Sequence, residues 1–312
     1  MRFQYQIYKF VIRPEDIIVL PEYKGSTLRG GFGVAFRRVV CALKKNDCVD
    51  CILNTKCIYS YVFESFSFEK TSKIFGDTFS RDIPRPFVIE PPLENKSVYN
   101  NKDEIEFNLI LFGKAIEYLP YFIYAFELLG EEIGIGAKRG KFFVERVECN
   151  GEIVYKDKKI QPVDFDEFVF EEEIEHSDKN MQIRLDFLTP LRLMVDRRIA
   201  RDIRFEELFK AIHRRIVLIS VYHCNSELPT YDLKSLIGLS KKIEIIDKNL
   251  SWYDWERYSN RKGTRMRLGG YIGEISLCGC LTPFMKFIRA GEILHIGKGA
   301  VFGMGKYMLY KK

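Results

Sequence analysis

Cys41, Cys48, Cys51 and Cys57 follow the spacing C-x6-C-x2-C-x5-C, the densest group of soft metal ligands in the chain. A C-x2-C pair in a tight turn presents two thiolates to one ion, and the flanking pair completes a tetrahedron. Protein would then fill all four positions, so the implied metal is structural rather than catalytic. Zinc and an iron–sulfur cluster both suit four thiolates in a reducing compartment, and free thiols are the third reading. Cys149, Cys224, Cys278 and Cys280 lack this grouping. Cys278 and Cys280 alternate along a strand end and are expected to be buried thiols.

A second group occupies residues 297–305, GKGAVFGMG, where Gly297, Gly299, Gly303 and Gly305 accompany Lys298 and precede Lys306. Glycine at this density costs conformational entropy and suits places where φ is positive or another backbone comes close. Two uses fit. One is a tight structural turn; the other is a cradle of backbone N–H groups for phosphate oxygens, with both lysines adding charge. No Ser or Thr follows Lys306, which excludes a Walker loop. The segment also runs from helix to strand, the reverse of a dinucleotide fingerprint.

His295 directly precedes that loop. It is the best placed of the four histidines, His176, His213, His223 and His295, to move a proton beside a bound phosphate. A structural hydrogen bond is the alternative. His223 continues the apolar face of its helix and reads as a satisfied core residue. His213 stands beside Arg214 and Arg215, at the surface or facing a polyanion, and His176 is incidental to an acidic segment.

Arginine is gathered in two further places. Arg192, Arg197, Arg198, Arg201 and Arg204 run up to a helix that carries Lys210, Arg214 and Arg215, and Arg257, Arg261, Lys262, Arg265 and Arg267 crowd a strand–strand turn. Guanidinium groups bind phosphate in a bidentate fork and stack on bases, and a basic hairpin tip fits an A-form groove. Like charges so close repel one another without an anionic partner. Trp252, Tyr253, Trp255 and Tyr258 could offer stacking faces, although burial in the core is the ordinary fate of tryptophan. Residues 164–175 carry seven acids around three phenylalanines and read as a solvated linker or edge strand.

The elements that must position these groups come in two similar sets. In the first half, residues 3–13 alternate as a strand closed by Pro14, and a helix runs from Ser26 or Thr27 to about Leu43. Residues 60–64 and 104–112 read as strands, 115–129 as a helix and 141–147 as a last strand. The second half gives a strand at 182–188 and an amphipathic helix at 205–223, with Phe209, Ile212, Ile216 and Ile219 on one face. Paired strands at 243–258 and 266–278, a short helix at 282–290 and a strand at 306–310 follow. Both halves read β-α-β-β-α-β, the ferredoxin-like order. Gly134-x-Gly136-Ala137-x-x-Gly140 matches Gly297-x-Gly299-Ala300-x-x-Gly303 at equivalent places, which indicates a duplication. Gly30, Gly31 and Gly33 are expensive at the start of the first helix, so either it packs closely there or it begins later.

With 312 residues, 46% hydrophobic and 29% charged, the chain has material for two cores. A net charge of +6 does not by itself diagnose a polyanion partner. Residues 1–16 mix charges into their apolar positions, unlike a secretory signal, and the most apolar stretch, 107–130, is interrupted by Lys114, Glu117 and Pro120. A cytoplasmic protein without a membrane span is expected.

HIGKGAVFGMGKYMLY, residues 295–310, resembles the signature loop of RAMP proteins, in particular the repeat-processing endoribonucleases of CRISPR systems. FLTPLRL (187–193), RYSNRKGTRMRLGGYIGEISLCG (257–279) and LRGGFGVAFRRVVC (28–41) extend the resemblance over most of both halves. It implies an α+β fold of two tandem ferredoxin-like domains, residues 1–150 and 178–312. Residues 151–177 would be the acidic linker or edge strand, and 41–57 a cysteine-rich metal-binding insertion that only part of the family carries. It further implies binding of CRISPR repeat RNA and crRNA. Cleavage would be metal-independent, by 2′-OH attack that leaves a 2′,3′-cyclic phosphate, so structural zinc or an iron–sulfur cluster is the only cofactor expected. Many relatives use a histidine near the first helix as general base, and none precedes His176 here. The candidates are therefore His295, then Tyr23, Lys24, Arg37 and Arg38 around the first helix. The alternatives are a non-catalytic RAMP subunit holding guide RNA in a CRISPR effector complex, and a zinc-stabilised scaffold, which the basic clusters disfavour.

Overall fold

Tyr8, Phe10 and Ile12 fall at every second position of β1 (Arg2–Pro14), and the period of a strand places all three in one core. The computed structural model describes residues 1–44, 48–64, 83–171, 179–196, 198–259 and 264–311. They form two compact units. The N-terminal unit comprises Phe3–Glu167 and Tyr222–Asn225; the C-terminal unit comprises Met1–Arg2, Phe168–Val221 and Ser226–Lys312.

The N-terminal unit joins helices to an antiparallel sheet. After β1 come α1 (Gly25–Val40), β2 (Phe87–Glu90), β3 (Ile105–Phe112), α2 (Leu119–Leu128), β4 (Phe142–Cys149) and β5 (Glu152–Lys156). The sheet runs β2-β3-β1-β4-β5 and continues into Lys159–Ile160. Phe32 of α1 stacks on Phe122 and Phe126 of α2, with ring centroids 5.1 and 4.9 Å away. Two of the glycines of α1 serve close packing, whereas Gly30 faces open space. A Cβ on Gly31 would lie 3.0 Å from Leu129, and one on Gly33 would lie 3.1 Å from Phe63. Of the two expectations for that helix, close packing is the one realised.

Residues 60–64 form a π-helical turn, not a strand. Their alternation is misleading because Val62 and Phe63, which are adjacent, both enter the core. The second strand of the order is instead β2, all four of whose residues are buried. A strand covered on both faces loses the period-two signal.

In the C-terminal unit the elements are β6 (Met181–Leu191), α3 (Phe205–His223), α4 (Leu233–Ser240), β7 (Glu244–Tyr253), β8 (Glu256–Ser259), β9 (Thr264–Arg267), β10 (Gly270–Gly279), α5 (Met285–Leu294) and β11 (Tyr307–Lys311). The main sheet runs β7-β10-β6-β11, and β8 pairs with β9 as a separate ribbon. Taken from the first strand of each unit, the second, third, first and fourth strands lie in the same sequence in both sheets. Asp232 starts α4, its carboxylate accepting the Ser235 N–H at 3.1 Å.

The two glycine loops hang on matching hydrogen bonds. The N–H groups of Glu15 and Asp16 reach the Lys141 carbonyl at 2.9 and 3.3 Å, and those of Leu188 and Thr189 reach Lys306 at 3.0 and 3.4 Å. In return, Lys141 N–H donates to the Asp16 carboxylate at 3.1 Å and Lys306 N–H to the Thr189 hydroxyl at 2.8 Å. Ala137 N–H donates to Val19 and Lys298 N–H to Arg192, both at 2.9 Å. Ile135 N–H meets Gly140 at 3.0 Å as Ile296 N–H meets Gly305 at 2.9 Å. Gly297 is thus equivalent to Gly136, not to Gly134 as the motif alignment has it, and the C-terminal loop carries four additional residues. Gly134 corresponds to His295, both ending a helix at positive φ, +74° and +63°.

Candidate nucleic-acid interface

The loop after α5 turns through Ala300–Phe302, a short 3-10 turn between Gly299 and Gly303. Its glycines permit close backbone approach. A Cβ on Gly297 would lie 2.6 Å from the Arg192 carbonyl oxygen, and one on Gly305 1.8 Å from that of Ile296. The N–H groups of Ile296, Lys298, Phe302, Gly303, Gly305 and Lys306 all donate within the protein. Much of the loop's donor capacity is therefore spent on its own shape. The Lys298 side chain is exposed and that of Lys306 half-buried.

His295 is 1% exposed, and its Nδ1 lies 3.1 Å from the Met304 carbonyl oxygen. The ring is packed beneath the loop. Arg215 reaches the same place from α3, its Nε donating to the Leu294 carbonyl at 2.5 Å. Arg215 is half-buried with its Nη2 enclosed, and burial pushes the guanidinium pKa down to about 10.

Arg198, Arg201 and Arg204 are exposed ahead of α3, while Arg197 lies outside the described residues. Arg204 pairs with Glu207 at 2.6 Å and Lys210 with Glu206 at 2.5 Å, so two cations of this cluster are neutralised locally. Arg192 donates to the Gly269 carbonyl at 3.2 Å. The second cluster straddles the β8–β9 ribbon, in which Arg257 faces Met266 and Tyr258 faces Arg265. Arg261 and Lys262 lie outside the described residues. Arg267 is exposed and meets Glu256 at 3.2 Å. Trp255 is core, as expected, but Trp252 is 47% exposed and meets Tyr271 edge to face.

The remaining histidines divide. His223, counted with the N-terminal unit, is the satisfied core residue expected: Nε2 lies 2.8 Å from the Pro84 carbonyl oxygen and Nδ1 3.2 Å from the Tyr61 hydroxyl. His213 is not on the surface. It is buried against Phe209, Tyr231 and Phe287, and burial lowers its pKa to about 4. His176 lies outside the described residues.

Around α1, Lys24 is fully buried, its Nζ donating to the Glu94 carbonyl at 2.6 Å, and burial lowers its pKa. Tyr23 is buried as well. Arg37 sits over the Tyr59 ring at 5.3 Å, and exposed Arg38 lies 3.6 Å from Glu132. Tyr59 stacks on Phe63, whose other neighbours include Arg29 at 4.8 Å, so two guanidinium groups flank one aromatic pair.

Cys41, Cys48, Cys51 and Cys57 are half-buried thiols. Burial pushes the Cys48 thiol up; Arg37 opposes this, and Glu64, Cys41 and Cys57 add to it. Cys41 and Cys57 thus lie within electrostatic reach of Cys48, and the chemistry of four thiols fits a thiophilic ion. No three ligating side chains converge in a metal-holding arrangement among the described residues. Cys278 and Cys280 are half-buried rather than buried. Among the described residues no helix is long and apolar enough to cross a membrane.

Sequence reasoning passed over Lys138, Arg139 and Lys141 in the N-terminal glycine loop, although the string GAKRGK shows them. It also left the head of Arg215 among the surface cations.

Residues 3–165 match the family model AF_1859_N, N-terminal domain, and residues 185–307 match CRISPR_Cas6, CRISPR-associated endoribonuclease Cas6. An uncharacterized protein of Archaeoglobus fulgidus is 23% identical over 294 residues, which cover 93% of this chain and 92% of its own. Thermus thermophilus Cas6 (TTHB231) superposes with a TM-score of 0.57 at 13% identity over 99% of both chains. A Cas6 (TTHB231) product complex gives 0.56 at 14% identity, covering 98% of this chain and 100% of that one. A partial Cas6-RT-Cas1–Cas2 complex gives 0.58 at 14% identity, with 99% of this chain spanning 46% of its match. At these identities the structural likeness is one of fold.

Proposed function

The chain belongs to the AF_1859_N family through its first half and is a CRISPR-associated Cas6-like protein, and on that premise we propose that it cuts CRISPR repeat RNA in precursor transcripts to make crRNA. The match of residues 185–307 to an endoribonuclease domain carries the reading, because that stretch holds the glycine loop, the ribbon and both arginine clusters. Two ferredoxin-like domains, residues 1–150 and 178–312, are part of the proposal, supported by the common strand order of the two sheets. So is a structural zinc or iron–sulfur centre at Cys41, Cys48, Cys51 and Cys57.

In the proposed reaction the ribose 2′-OH attacks the adjacent phosphate, the 5′-oxygen leaves, and a 2′,3′-cyclic phosphate remains. The protein must align the attack and stabilise charge on the phosphorane. Lys298, Lys306 and the ribbon cations would hold phosphate, and Arg37 and Arg38 would supply further charge. His295, Tyr23 and Lys24 are the proton-transfer candidates. All three are enclosed, so their access depends on movement when RNA binds. That enclosure favours the second reading, a non-catalytic subunit that holds guide RNA in a CRISPR effector complex.

Incubation with labelled repeat RNA in EDTA separates the two. Site-specific cleavage with a cyclic phosphate end supports the enzyme, binding without cleavage supports the subunit, and absence of binding rejects both.

A further inference from the structure

The equivalence of the two glycine loops extends to their chemistry. The frame that carries Lys298 and Lys306 after α5 also carries residues 134–141 after α2, with Lys141 at the position of Lys306. Only two residues, Lys138 and Arg139, stand between Ala137 and Gly140, so the tip of the shorter loop is wholly cationic. Both are exposed, and the Lys141 side chain is half-buried beside them. Arg139 is held at φ +51°, its N–H donating to the Gly136 carbonyl at 3.2 Å.

Several cations elsewhere in the N-terminal unit are held in ion pairs. Lys9 pairs with Glu106 at 2.9 Å, Arg13 with Glu145 at 2.9 Å, Lys96 with Asp103 at 2.6 Å and Arg146 with Glu148 at 2.6 Å. Arg38 pairs more loosely with Glu132 at 3.6 Å. Among the described residues no carboxylate pairs with the side chain of Lys138, Arg139 or Lys141. Three cations within four residues raise the local potential and favour an anion. A non-glycine residue at positive φ stores strain that an ordinary surface turn could avoid with glycine.

We propose that residues 134–141 form a second phosphate-binding loop, in which Lys138, Arg139 and Lys141 grip the backbone of the RNA. This rests on the RNA-processing reading and gives the N-terminal unit its own phosphate contacts. The loop carries no aromatic side chain to stack on a base, so its contacts fall chiefly on the phosphate backbone and vary little with base sequence.

The test uses the full chain with Lys138→Ala, Arg139→Gly and Lys141→Ala combined. Glycine relieves the positive φ at position 139, and the Lys141 N–H to Asp16 is retained, so the frame survives the change. Affinity for repeat RNA is measured from low to high salt. Loss of three phosphate contacts should flatten the plot of log affinity against log salt by about 2 and weaken binding by about tenfold or more at low salt. Lys138→Arg with Lys141→Arg should bind as the wild type does, which separates charge from shape. An unchanged slope in the triple variant, with wild-type binding intact, overturns the second loop and leaves the RNA-processing reading standing. Wild-type protein that does not bind repeat RNA overturns both.

Discussion

His213 and Tyr231 meet edge to face, their ring centroids 5.8 Å apart and their planes at 76°, and among the described residues neither His213 Nε2 nor the Tyr231 hydroxyl has a hydrogen-bond partner. Buried polar atoms without partners are uncommon and costly. Here they keep the imidazole neutral, since nothing in the aromatic box compensates a charge.

Stability should therefore depend on acid. His213 has a folded pKa of about 4 against an ordinary 6.5, so between these values the unfolded chain binds a proton that the folded chain does not. Stability is full above about pH 6.5 and falls as pH drops toward 4, by about 3 kcal/mol at most from this residue. Thermal melts of wild type and His213→Phe, compared at pH 7.5 and 4.5, should show a larger acid loss in the wild type. Parallel losses would remove His213 from the account.

His295→Ala should lower the melting temperature, because a buried ring bonded to the Met304 carbonyl is lost, at a cost of about 2–3 kcal/mol. RNA affinity and cleavage rate should fall together as the loop loosens. A rate loss of about a hundredfold at unchanged affinity and melting temperature would instead give the ring a proton-transfer role.

Gly305→Ala is the sharper probe of the loop. A Cβ there would stand 1.8 Å from the Ile296 carbonyl oxygen, at φ +73°. Closure of the loop onto β11 should fail, with a loss of at least about 2 kcal/mol by chemical denaturation. Tolerance of alanine would mean that the frame yields more easily than its hydrogen bonds indicate.

Replacing Arg261, Lys262 and Arg265 together by alanine should weaken RNA binding and reduce its salt slope by about 2 to 3. A slope equal to that of the wild type would make the ribbon cations solvated surface.

Elemental analysis of freshly purified protein should find about one zinc per chain, or iron with visible absorbance. Chelation should then lower the melting temperature. Metal-free protein that melts at the same temperature would reject the centre.

What the sequence disclosed depended on how each element is covered. The helix Phe205–His223 was legible to the residue, because its apolar face repeats with helical period. The same period assigns His213 to the face of Phe209, Ile212 and Ile216; its neighbours Arg214 and Arg215 drew attention away from that geometry. β2 escaped notice because it is buried on both sides and flanked by prolines, and α4 because its eight residues give the helical period little length to show beside the Asp232 cap. In the glycine loops the motif was visible but its alignment was not. Identical letters matched Gly134 to Gly297, whereas hydrogen bonds match Gly134 to His295, a pairing that no comparison of residue types would choose.

The clamp beneath each loop also sets where the chain tolerates change in length. Leu188, Thr189 and Lys306 close the C-terminal loop as Glu15, Asp16 and Lys141 close the other, and above that closure the two loops differ in length by four residues. Residues 299–304 are thus the span that differs between the loops, though it stays fastened beneath by the Thr189 hydroxyl on the Gly303 carbonyl at 2.7 Å and by His295 Nδ1 near the Met304 carbonyl at 3.1 Å. Shortening them to the Lys138–Arg139 length, or lengthening them further, alters what the clamp displays without unthreading a strand.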